Sequence, residues 1–162
     1  MAAPRLQHGF TLMELMVVFA IAALIVGVSV PFSARLFDTM QYRDAIRSIS
    51  AAASSARYQA ITSGEAVDLV LNPNARSFAV HPATRSTGID RNDMQALSSD
   101  LRMNVISARE VSPGNGLAAI RFYPQGSSTG GSVSVQRENG EGVRLRIDWL
   151  LGRVTQEPLE VL

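Results

Sequence analysis

Apolar residues dominate the first part of the chain. Leu15 to Val30 is almost wholly Leu, Met, Val, Phe, Ala and Ile, interrupted only by Gly27 and Ser29, and the run continues to Phe32. No charged side chain lies between Glu14 and Arg35. About 20 such residues, rising about 1.5 Å each as a helix, span the roughly 30 Å hydrocarbon core of a bilayer. An isolated span in lipid must satisfy its own backbone, which leaves helix as its state. Pro31 removes one backbone hydrogen bond and predicts a kink or local loosening. Helical periodicity nevertheless continues. Leu36/Phe37, Met40, Ala45/Ile46, Ile49, Ala52/Ala53, Ala56 and Ala60/Ile61 recur at three- and four-residue spacing, and Arg35, Asp38, Arg43, Asp44, Arg47 and Arg57 occupy much of the other face. Gly64 is suited to end the helix in a left-handed conformation. The pattern predicts one helix from Phe10 to Ser63, its first half in a membrane and its second half packed on a domain.

The period then becomes two. Val67, Leu69 and Leu71 alternate with Asp68 and Val70, Asn72-Pro73-Asn74-Ala75 signals a turn, and Ser77 to Val80 reads as the return strand. His81 to Asp100 is polar and reads as a long loop, with a short helical turn around Met94 to Leu97. Leu101, Met103 and Val105 resume the alternation before the turn Ser112-Pro113-Gly114-Asn115-Gly116. Ala118, Ile120 and Phe122 share one side of a further strand. Val133-Ser134-Val135 and Val143-Leu145-Ile147 follow, separated by the turn Asn139-Gly140-Glu141-Gly142, and Trp149 to Val154 turns the chain once more. The fold class expected is α+β: one long amino-terminal helix packed on an antiparallel sheet or sandwich-like domain of roughly six to eight short strands.

The 162 residues suffice for one domain beyond the helix. A net charge of +1 gives no bulk electrostatic argument for a charged partner, and all fifteen basic residues are Arg. Cysteine is absent, which excludes disulfides, thiolate nucleophiles and Cys-based metal sites.

Several residue groups invite chemistry and fail its requirements. Gly126 to Gly131 lacks the Lys and following helix of a phosphate-binding loop, so its glycines read as hairpin geometry. His8 and His81 are far apart, and His81 has no nucleophile motif beside it, which leaves neither a zinc site nor a Ser-His-Asp triad. Asp90, Asp93, Asp100 and Glu110 do not follow calcium-loop spacing. No enzyme activity and no cofactor is indicated. Arg144 and Arg146 share one strand face and are the candidate nucleic-acid contacts. Interspersed Glu138, Glu141, Asp148 and Glu157, and the lack of an aromatic alternating with the arginines, argue against nucleic acid as a partner. Glu14 stands apart, as a carboxylate just inside an apolar run is costly and such groups usually serve a role.

Gly9-Phe10-Thr11-Leu12-Met13-Glu14, following a short basic leader, resembles the amino-terminal signal of type IV pilins and type II secretion pseudopilins. The resemblance implies a leader at residues 1–9, cleavage between Gly9 and Phe10 by a prepilin peptidase, and methylation of the new amine on Phe10. It also implies that Glu14 neutralises the terminal amine of a neighbouring subunit in a filament. Arg5 would hold the leader in the cytoplasm under the positive-inside rule, placing the domain from Arg35 onward in the periplasm. A second resemblance, to the H-type minor pseudopilin domain, rests on Ile120 to Gly131 and on Val143 to Val154 with its Asp-Trp-Leu-Leu-Gly-Arg-Val ending.

Together these predict a membrane and assembly helix at 10–34, its amphipathic half at 35–64 and a β-rich periplasmic domain at 65–162. The implied role is a non-catalytic minor subunit near the tip of a pseudopilus that drives export of folded proteins. It is anchored in the inner membrane by a single pass, with major and minor pseudopilins, the prepilin peptidase and the inner-membrane assembly platform as partners. Ala20, Ala22, Ala23 and Gly27 would permit close helix approach there. The rival reading is a minor type IV pilin acting in pilus assembly, adhesion, twitching or DNA uptake; the lack of a carboxy-terminal cysteine pair leans away from it.

Overall fold

The computed structural model describes residues 11–85, 89 and 93–159, with side chains for all of these except 27–37. Two compact units are present, Met1–Met40 and Gln41–Leu162. Helix α1 (Leu12–Ser63) contributes to both and stays helical through Pro31. It begins where Thr11 Oγ1 accepts the Glu14 backbone N–H at 3.2 Å, a Thr-x-x-Glu start of the kind that satisfies an orphan donor. At its other end Gly64, at φ +73°, donates its N–H to the Ala60 carbonyl, a left-handed stop that only Gly adopts freely. Phe10, the expected first residue, lies outside the described residues.

Among the described residues of the second unit eight strands follow: β1 (Val67–Asn72), β2 (Ser77–Pro82), β3 (Gln95–Ala96), β4 (Arg102–Ser107), β5 (Ala118–Phe122), β6 (Gly131–Gln136), β7 (Gly142–Ile147) and β8 (Val154–Leu159). They form two four-stranded sheets, ordered β3-β2-β1-β5 and β4-β6-β7-β8, with every pairing antiparallel. The expected helix on an antiparallel β domain is therefore present.

Ala45, Ile46, Ile49, Ala53, Ala56 and Ala60 form the buried stripe of α1. Four of these six are Ala, which lets the sheets lie close to the helix axis. Both sheets contribute to the same core: Leu69, Leu71, Ile120 and Phe122 from the first, Val133, Val135 and Leu145 from the second, each at 0% exposure. Fully burying such a side chain contributes about 1.5–3 kcal/mol.

Two local expectations are corrected. His81 and Pro82 end β2 and do not open a loop. No helical turn forms at Met94 to Leu97; Gln95 and Ala96 instead pair with Phe78 and Ser77 as a short edge strand. The reason lies in β1, which is buried on both faces. Val70, Ala79 and Ala119 on the second face need a cover, and Met94 supplies it, with Ile89, Val111 and Leu117 packed beside. That face also holds Asp68, fully buried, whose partner is described below.

Candidate assembly face and outer groove

In the first unit, Leu12, Met13, Leu15, Met16, Val17, Val18, Phe19, Ile21, Leu24, Ile25 and Val26 are all exposed. A contiguous apolar helical surface of this kind marks a face that is covered by lipid or by another protein. Among the described residues no helix is long and apolar enough to cross a membrane. The side chains of 27–37, which complete the apolar run, lie outside that description, as do Gly9 and Phe10. Glu14 is exposed at the third helical position, and it takes part in none of the ion pairs among the described residues. A carboxylate there suits the positive end of the helix dipole.

The two carboxy-terminal sequence stretches that carry the H-type resemblance are tied together by α1. Arg57 Nε donates to the Gly126 carbonyl at 3.0 Å. Ser128 donates its N–H to the Trp149 carbonyl and its hydroxyl to the Asp148 carbonyl. Asp148 Oδ1 accepts the N–H groups of Leu150 and Leu151, at 3.0 and 2.7 Å. A Cβ on Gly152, at φ +59°, would stand 2.7 Å from the Gly126 carbonyl oxygen and 3.0 Å from Arg57 Cδ. Gly152→Ala therefore combines a left-handed residue with a backbone clash and should cost about 1–3 kcal/mol. Denaturant unfolding of the full-length chain in detergent reads this as a lower midpoint; an unchanged midpoint would show that the two turns are not locked.

On the second sheet, Arg144 and Arg146 point outward from β7, either side of the buried Leu145. Arg146 lies 3.7 Å from Glu157 on β8, whereas Arg144 makes no ion pair among the described residues. Arg137 belongs elsewhere: its guanidinium stacks 4.2 Å from the centre of the Tyr42 ring and lies 3.7 Å from Glu141. Burial pushes the Tyr42 hydroxyl pKa above its ordinary value; Arg137 pulls it down and Glu141 pushes it up, so the ring meets the cation as a neutral phenol.

No aromatic alternates with the arginines along β7, but one reaches them from outside the strand. Trp149 lines the same open groove as Arg144 and Arg146. A turn, not strand alternation, brings it there.

The remaining sequence candidates have structural places. Gly126 to Gly131 connects β5 to β6 with positive φ at Gly126, Gly130 and Gly131, and leads into a strand. Among the described residues no cluster of three or more His, Asp or Glu could hold a metal; Asp90 lies outside them.

Comparison with known proteins now gives the relationships of the chain. The family described as Type II transport protein GspH matches residues 45–151, and the prokaryotic N-terminal methylation motif matches residues 4–30. The chain is 28% identical over 161 residues to Type II secretion system protein H of Xanthomonas campestris, covering 98% of this chain and 89% of that protein. Its fold is similar to the minor pseudopilin EpsH from the Type 2 Secretion System of Vibrio cholerae, with a TM-score of 0.55 and 15% identity over 74% of this chain and 96% of that one. It is also similar in fold to the type IV minor pilin FimU of Pseudomonas aeruginosa, at a TM-score of 0.50 and 14% identity, covering 76% and 92% of the two chains. With an amino-terminal methylation motif and a domain matched over most of the β region and its packing helix, the chain belongs to the GspH family of type II transport proteins.

Proposed function

We propose that this chain is a minor pseudopilin of the type II secretion pseudopilus, a structural subunit placed near the filament tip and joining a tip complex to the shaft. The observation that carries the reading is the exposed apolar surface of Leu12 to Val26, opening at Thr11 and Glu14 and belonging to a chain of the GspH family. In this reading residues 1–9 are a leader, prepilin peptidase cuts between Gly9 and Phe10, and Phe10 is methylated. Residues 10–34 anchor the precursor in the inner membrane, 35–64 continue the helix, and 65–162 stand in the periplasm. Glu14 then pairs with the amine of a neighbouring subunit as the inner-membrane assembly platform draws the chain out of lipid. The partners are the other minor and the major pseudopilins.

Deleting the gene, with exoprotein levels and surface piliation and DNA uptake measured in the same strain, tests the reading. Loss of secreted exoproteins with normal pili is expected. Normal secretion with lost piliation or uptake would move the chain to the type IV pilus branch and sink the proposal.

A further inference from the structure

Among the described residues four strands lie at sheet edges: β3 and β5 in the first sheet, β4 and β8 in the second. An edge strand offers unpaired N–H and C=O groups to any extended chain, and proteins usually blunt it. Three of these four are blunted. β3 is only two residues long. The outer side of β5 is already occupied. Arg121 N–H donates to Thr129 Oγ1 and Ala119 N–H to Ser112 Oγ, while Thr129 and Tyr123 N–H donate to the carbonyls of Arg121 and Ser127. On β8, the Asp148 N–H donates to the Arg153 carbonyl at 2.9 Å. The alternation of an antiparallel ladder then puts the odd-numbered residues of β8 on β7 and turns Val154, Gln156 and Pro158 outward. Proline has no N–H to offer there.

β4 has none of these protections. Arg137 donates its N–H to the Glu141 carbonyl at 2.8 Å, which sets the odd-numbered residues of β6 on β7 and the even-numbered ones on β4. Arg102, Asn104 and Ile106 therefore carry the ladder to β6, and the backbones of Met103, Val105 and Ser107 face the other way. None of their six N–H and C=O groups meets a partner among the described residues. At the far end the edge closes on β5, because Ser112 Oγ lies 3.2 Å from Ser107 Oγ and accepts the Ala119 N–H. The open stretch is thus Met103 to Val105, about 7 Å of strand with two donors and two acceptors. Sealed from water, such groups would each cost about as much as a lost hydrogen bond, so this edge is stable only wet or filled.

The backbone selects the class of occupant. Donors and acceptors alternating at strand spacing are matched by another extended polypeptide, whatever its side chains. The side chains then narrow its pattern. Met103 and Val105 belong to the main apolar core, with Val105 half-buried at its rim. Arg102, Asn104 and Ile106 are exposed on the opposite face, and Arg102 makes no ion pair among the described residues.

We propose that the free edge of β4 accepts an antiparallel strand from a neighbouring protein subunit. Its backbone bonds to Met103 and Val105, its apolar side chains extend the core over Val105, and a carboxylate on its other face stands opposite Arg102. The antiparallel sense follows every existing pairing of both sheets. That the strand comes from a neighbouring subunit rests on the filament-subunit reading.

Residue-resolved amide hydrogen exchange of the full-length chain in detergent tests this. In the free protein Arg102, Asn104 and Ile106 should exchange slowly, and Met103 and Val105 fast. The probe is a capped peptide, Ser-Val-Ser-Val-Ser-Val-Glu, which places valines beside Met103 and Val105 and the glutamate beside Arg102. It should slow exchange at Met103 and Val105 saturably, by about ten-fold or more. N-methylation of the valine amides, which face β4, should abolish the effect, whereas N-methylation of the serine amides should keep it. Arg102→Glu should weaken binding about ten-fold, and lysine in place of the peptide's glutamate should restore it. Slow exchange at Met103 and Val105 in the free chain, no slowing by the peptide, or equal loss from both methylation patterns would each overturn the proposal. Slowing that grows with protein concentration alone would also overturn it, by assigning the edge to a second copy. The readout needs no secretion machinery. A failed deletion phenotype with intact peptide binding therefore strikes the filament reading alone, and the reverse result strikes the β4 edge alone.

Discussion

Replacing Asp68 with Ala should lower the unfolding free energy by about 3–5 kcal/mol, the largest loss expected from any single polar side chain in the second unit. Asp68 is 0% exposed in the middle of β1 and receives two charge-assisted hydrogen bonds from Arg121 across the strand pair, from Nε at 2.7 Å and Nη2 at 2.9 Å. The bidentate fork, chiefly through its hydrogen bonds to Asp68, raises the Arg121 pKa further above its already high value, so the guanidinium stays charged throughout the neutral range. Removing Asp68 leaves that partly exposed cation beside Val70 and Ala119 with no counter-charge among the described residues. The double variant Asp68→Leu/Arg121→Met should recover most of the loss, because a buried pair replaced by apolar groups of similar shape is close to neutral. Urea unfolding of the full-length chain in detergent checks both. If Asp68→Ala costs under about 1 kcal/mol, or if the double variant is no better than the single one, the pair is behaving as a surface salt bridge.

The same residue marks the limit of what the sequence displays. Alternation from Val67 to Leu71 correctly announces a strand, and the stripe from Ala45 to Ala60 announces the helix that covers it. A half-exposed strand would place Asp68 in water. It is buried because a second layer, Met94 with Ile89 and Val111, arrives from a polar stretch without periodicity of its own. Non-local cover leaves no trace in a two-residue period. Trp149 escapes for a related reason: its place beside Arg144 follows from the turn set by Asp148 and Gly152, and spacing along β7 says nothing of it. By contrast, the end of α1 is legible: Gly64 ends the element with the positive φ that its position demands. The apolar run places its start at Phe10, whereas the helix begins at Leu12, where Thr11 and Glu14 carry the Thr-x-x-Glu spacing of a helix start. Local backbone chemistry shows itself in the sequence, whereas the outer faces of the two sheets are known only once the strands are placed.

Glu14→Leu should abolish incorporation of the chain into filaments while leaving membrane insertion and processing intact. A carboxylate costs up to about 2.5–3.5 kcal/mol at the centre of an apolar span on insertion scales, and less at the end of the run where Glu14 lies. In the proposed filament, pairing with a neighbour's amine offsets that cost, and the offset is the driving force for leaving the membrane. Leu removes the cost from the isolated chain and the counter-charge from the assembled one. The incorporation equilibrium should therefore fall by about two orders of magnitude.

The structure supplies a competing role that must be separated. The Glu14 N–H caps onto Thr11 Oγ1, and an acidic residue at this position also suits the helix dipole. Two further variants make the distinction. Thr11→Val removes the cap alone, worth about 1 kcal/mol, and should reduce incorporation modestly. Glu14→Gln keeps shape and hydrogen-bonding capacity without charge and should fail as fully as Leu. Crosslinking of each variant to neighbouring pseudopilins in the periplasm, with exoprotein levels in the same cultures, gives the result. A Gln variant that assembles normally, or a Thr11 variant as defective as Leu, would assign Glu14 to the helix start and remove charge pairing from the mechanism.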